Sequence, residues 1–178
     1  MKVKISYLLL GLAFLLSLGR LETNGQGTRK ISAAAKAHCR QAQSYAANDD
    51  NPLAESEYRK AIAANNGYYP AAWRDFSWYL SQRLRFAEAA AAFETHLKQT
   101  PTKEIHQDDY QHLADFQAIV RLEKLAQRQS QPSLQTLLDY GRLVFLFART
   151  RDQAAIRIAE KAVALYPDAV AALLMLES

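Results

Sequence analysis

One alanine-led pattern, returning along the chain, constrains the fold more than any other feature. It runs Ala, a second residue four on, a third three further, and in two of its three copies a proline five beyond that. The copies are Ala54, Tyr58 and Ala61; Ala89, Phe93, His96 and Pro101; and Ala155, Ala159, Ala162 and Pro167. Steps of four and three keep the three side chains on one face of a helix. The first two copies start 35 residues apart and the next two 66 apart, close to one and two periods of about 34, the length of a helix-turn-helix repeat. With only 6 Gly and 5 Pro in 178 residues, and no alternating strand pattern of any length, the chain reads as all-helical.

The second copy is the fullest. With Pro101 as the 32nd position of a repeat, Trp73, Phe76, Ser77 and Leu80 take positions 4, 7, 8 and 11. They recur at i, i+3, i+4 and i+7, and so share a helical face. Two helices cross closely only where a contact is small, here Ser77 against Ala89, with Trp73 and Phe93 filling the space around it. This arrangement resembles the tetratricopeptide repeat (TPR) family, which has Trp, Leu, Gly and Tyr at those positions. The resemblance implies an all-α, TPR-like right-handed α-solenoid of about three to four repeats over residues 30–178, with second-repeat helices near 70–82 and 86–99. The first copy keeps Ala42 and Tyr45 but has His38 and Gln41 at the other two positions, as an end repeat facing water can. The last copy (Leu137, Tyr140, Gly141, Val144) needs two extra residues before Ala155. Residues 104–131 hold a degenerate unit with Tyr110, Leu113, Leu122 and Ala126 as candidate core positions. Lacking Gly and Pro from Asp108 to Arg128, that stretch reads equally as one long helix or as a hairpin.

TPR arrays bind ligands along the exposed positions of their first helices. Carried onto this sequence, those positions are Lys36, Cys39, Gln43 and Ala46, then Ala71, Arg74, Trp78 and Ser81. Lys36, Gln43, Arg74 and Trp78 are therefore the expected partner-binding groove. Arg74 and Trp78, one turn apart, offer a charge-assisted donor beside a flat apolar ring; the alternative for Trp78 is packing against the next repeat. The family's clamp for chaperone C-terminal carboxylates is not reproduced, because Cys39, Gln43 and Asp75 occupy the positions where it needs Lys, Asn and Asn.

The first 26 residues differ from the rest. Lys2 and Lys4 precede a 14-residue apolar run from Ile5 to Leu18, shorter than the roughly 20 residues that span a bilayer. It reads as an export signal, cleaved after Gly19 or Gln26, or else as an uncleaved N-terminal anchor with a short linker. The resulting expectation is an exported protein of the periplasm or envelope, touching the membrane only through this segment. The net charge of +4 falls to +2 without Lys2 and Lys4, which gives no reason to expect nucleic acid as a partner. What remains is uneven, with eight Lys and Arg against four acids over residues 121–161. Cys39, the only cysteine, permits no intrachain disulfide; among small residues on a helix it reads as an inert buried thiol rather than one free to pair between chains.

No catalytic motif, cofactor motif or metal-ligand spacing is apparent. His38, His96, His106 and His112 form no helical zinc pair, and His96 falls in the second-helix core frame. Asp108 and Asp109 suit a helix start, where carboxylates meet the positive end of the dipole; Asn51 reads as a cap before Pro52. After Pro167, residues 169–176 are eight consecutive apolar residues, which predicts self-association through 168–178 or a continuation of the array. The leading expectation is a non-enzymatic scaffold binding a protein or peptide in an envelope or exported assembly. The alternative is the substrate-recruiting part of a larger envelope enzyme or secretion channel; a helical enzyme built on Arg74, His106 and Asp108 is a third.

Overall fold

The computed structural model describes residues 29–147 and 151–169, and all regular structure among them is helical. The helices are α1 (Ala33–Ala47), α2 (Asn51–Ala63), α3 (Pro70–Ser81), α4 (Phe86–Gln99), α5 (Gln107–Arg128), α6 (Leu134–Phe147) and α7 (Arg151–Leu165), with a 3-10 turn at Thr102–Glu104 before α5. Substantial packing runs between consecutive helices. It is densest within the hairpins α1/α2, α3/α4 and α6/α7, and α5 bridges the second and third hairpins.

Local chemistry explains where the helices start and stop. Ser32 caps α1, its Oγ accepting the Ala35 N–H at 3.1 Å, while Pro52 and Pro70 stand in the first turns of α2 and α3. The cap of α2 is Asp50 rather than Asn51, whose side chain instead accepts from the Arg83 guanidinium. Three helices end alike, with an N–H reaching back five residues to a carbonyl: Asp50 to Tyr45 at 3.0 Å, Gly67 to Ile62 at 2.9 Å and Arg85 to Leu80 at 3.1 Å. Each donor follows a residue of positive φ, Asp49 (61°), Asn66 (53°) and Leu84 (62°), as such caps require. Leucine is unusual there; Leu84 is held because its half-buried side chain packs on the core. Asp49 and Leu84 lie 35 residues apart, so the period read from the alanines returns in the backbone of the turns.

Ser77 and Ala89 are fully buried, and Ser77 Oγ donates to the Ala89 carbonyl at 2.7 Å. Ala42 and Gly141 are likewise buried at the corresponding positions of α1 and α6. Ala54, Tyr58, Ala61, Phe93 and His96 all face the core. In α7, Ala159 and Ala162 do so, but the buried residue of the preceding turn is Ala154 rather than the half-buried Ala155. Residues 104–131 hold one long helix, not a hairpin. Its core face is Phe116, Ile119 and Ala126, whereas Tyr110 is 53% exposed. The expected register therefore fails at its start: no repeat copy sets the phase there, and Tyr110 lies on the solvent face.

Burial of His96 lowers its pKa below the ordinary 6.5, although its ring nitrogen lies 3.0 Å from the Pro70 carbonyl. Hydrogen bonds from Arg85 lower Glu55 and Glu88, and those from Lys60 and His38 lower Glu57, all below the ordinary 4.5. All four groups bind protons more weakly folded than unfolded, so stability is full above the unfolded pKa and is lost as pH falls. Thermal midpoints should thus drop first below about pH 6.5 and again below about pH 4.5. His96→Gln should flatten the first step alone; a wild-type midpoint constant from pH 7 to 5 would exclude the histidine contribution.

Candidate groove on the first helices

An open cavity of about 600 Å³ lies where α1, α3 and the C-terminal end of α6 meet. Gln43 comes to it from α1, Asp75 and Trp78 from α3, and Phe147 from α6, with Tyr58 and Tyr79 behind them. The helical steps that bury Ala42 and Ser77 turn Gln43 and Trp78, each one residue on, toward this shared face. The Gln43 amide donates to Asp75 Oδ2 at 2.8 Å, tying the first hairpin to the second.

Trp78 is half-buried. Its ring centroid lies 4.9 Å from that of His112, 5.7 Å from Phe116, 5.9 Å from Phe147 and 6.4 Å from Phe93, in mostly edge-to-face geometry. It thus packs against α4, α5 and α6 and also lines the cavity. Arg74 is half exposed, its Nε 3.7 Å from Asp75 Oδ1, and it does not line the cavity. Lys36 is exposed on α1, two turns before Gln43, and is not part of the lining either. Of the four residues expected in the groove, the fold therefore brings together Gln43 and Trp78. Cys39 is buried, and burial raises its thiol pKa.

Sequence reasoning missed Asp75, Tyr58, Tyr79 and Phe147. The signal for Asp75 was present, since it precedes Trp78 by three residues and so shares its face. Tyr58 reads as core from the repeat pattern, and both it and Tyr79 are buried, at 3% and 4% exposure; that they also reach a cavity depends on the spacing between hairpins. A second, smaller cavity of about 230 Å³ lies among α5, α6 and α7 beside Glu123, Arg157 and Lys161. The Lys161 ammonium there already donates to the Ala126 carbonyl at 2.9 Å.

The residues proposed for a helical enzyme stay apart from both cavities. His106 precedes α5, its N–H bonded to the Asp109 carboxylate at 2.9 Å, and Asp108 is in the first turn. His38 pairs with Glu57 at 2.6 Å. Among the described residues no group of three or more His, Cys, Asp or Glu is placed to hold a metal ion. Nor is any of their helices long and apolar enough to cross a membrane. The N-terminal 26 residues and the apolar run beyond Ala169 lie outside the described residues. Comparison with protein-family models, with curated proteins and with solved structures found no match to this chain.

Proposed function

We propose that this protein is a non-enzymatic scaffold of the TPR type, exported to the envelope, that binds a peptide segment of a partner protein across α1, α3 and α6. The observation carrying this reading is that Gln43 and Trp78, 35 residues apart at equivalent repeat positions, line one open cavity. A half-buried indole lining the cavity beside amide and carboxylate groups suits an extended peptide, which supplies both apolar side chains and backbone hydrogen bonds. The paired helices, the 35-residue return of the turn geometry and the small contacts at Ala42, Ser77 and Gly141 support the repeat architecture. Export rests on the apolar segment between Ile5 and Leu18.

The reading is tested by selecting peptides from a random display library on the full chain and measuring their affinity by fluorescence polarisation. Ala47→Trp adds a large ring at an exposed, cavity-lining position outside the core. It should weaken the selected peptides at least about tenfold, the scale of one interface hot spot, with the thermal midpoint unchanged. Peptides that bind this variant as well as wild type would place recognition elsewhere, and a library yielding no binder would overturn the reading.

A further inference from the structure

Building on the groove reading, we infer that the ligand this cavity selects is a peptide carrying a cationic side chain, an arginine or a lysine, seated against Asp75 and the surrounding rings. Among the described residues of the lining, Asp75 alone is charged. Among the described residues its carboxylate accepts one hydrogen bond, from Gln43, and meets Arg74 only at 3.7 Å. A carboxylate has about four acceptor sites, so these described residues leave most of its capacity open. Arg74 projects outside the cavity and leaves the negative end of the pair facing in.

A second observation is independent of Asp75. Tyr58 lines the cavity and makes no side-chain hydrogen bond to the described residues; since none of their buried side-chain polar atoms lacks a partner, its hydroxyl opens to the cavity space. By contrast, the Tyr79 hydroxyl donates to the Asn51 carbonyl at 2.7 Å. The floor thus offers a spare carboxylate and a spare phenol oxygen, both able to accept, with the Gln82 amide beside them. A guanidinium or ammonium brings several donors and a positive charge to this floor. The walls suit the same group, because Trp78, Phe147, Tyr58 and Tyr79 supply aromatic rings, whose faces attract cations. These rings already tolerate such neighbours: the Arg83 guanidinium lies 4.6 Å from the Tyr79 ring centroid, and that of Arg59 lies 5.4 Å from Phe76 in the same aromatic cluster. An acidic side chain in that seat would meet the Asp75 carboxylate unpaired.

The test uses two fluorescein-labelled peptide pools of otherwise uncharged random sequence, one with a central arginine and one with citrulline, which keeps the shape without the charge. Against the full chain, the arginine pool should bind about tenfold more tightly, the scale of one charge-assisted contact. That preference should shrink toward parity in Asp75→Asn, which retains an oxygen to accept from Gln43. Tyr58→Phe should weaken the arginine pool by a few-fold while barely changing the citrulline pool. Equal binding of both pools to wild type, with both lost in Ala47→Trp, would overturn the cationic ligand and leave the groove standing. Arginine preference that persists in Asp75→Asn, with an unchanged thermal midpoint, would also overturn it. Binding of either pool that survives Ala47→Trp would remove the groove itself.

Discussion

Phe93→Ala should destabilise the protein by about 3–5 kcal/mol, the cost of truncating a fully enclosed aromatic side chain. Phe93 is 0% exposed, and its ring meets those of His96 at 5.3 Å, Phe116 at 5.9 Å, His112 at 6.1 Å and Trp78 at 6.4 Å. The neighbours come from α3, α4 and α5, and helices held at both ends by hairpin partners cannot readily collapse into the void. The aromatic wall of the groove stands on the same cluster, so loss of Phe93 should also loosen Trp78. Urea denaturation followed by helical circular dichroism measures the first effect, and near-ultraviolet dichroism of the tryptophans reports the second. A midpoint equal to wild type would mean that this cluster is not the core. Tyr110→Ala, at a 53% exposed site on α5, is the matched control; it should stay within about 0.5 kcal/mol.

Ser77→Leu should cost about 1–3 kcal/mol or more, through overpacking rather than a void. Ser77 and Ala89 are both 0% exposed where α3 and α4 cross, and the hydroxyl donates to the Ala89 carbonyl. A leucine there must force the helices apart or leave its rotamer minimum. Ser77→Ala separates the two components: it keeps the close approach and loses one hydrogen bond, worth about 1 kcal/mol. If alanine and leucine destabilise equally, the hydrogen bond accounts for the effect and the steric argument fails.

Much of the local structure was legible because its causes lie within a few turns of chain. Helices expected near 70–82 and 86–99 occur at Pro70–Ser81 and Phe86–Gln99. His96, expected as a packing residue, is buried and bonded to Pro70. The register error in α5 fell where no copy of the repeat set the phase. In α5 the expected core residue Tyr110 points to solvent while Phe116 and Ile119 turn inward, and a helix outside the repeat pattern cannot be oriented without knowing what packs on it.

By itself the sequence determined the helical class, the helix ends of the second hairpin and the close contact of Ser77 with Ala89. Periodicity, proline and small side chains act locally, so their consequences can be read along the chain. Only the tertiary structure decided that Trp78 meets rings from α4, α5 and α6 while still reaching a cavity, and that Asp75 rather than Arg74 faces into it. Those outcomes depend on the distance and rotation between helices up to 104 residues apart, from Gln43 to Phe147. Such geometry comes from the packing of all the hairpins together, which no single stretch of sequence encodes.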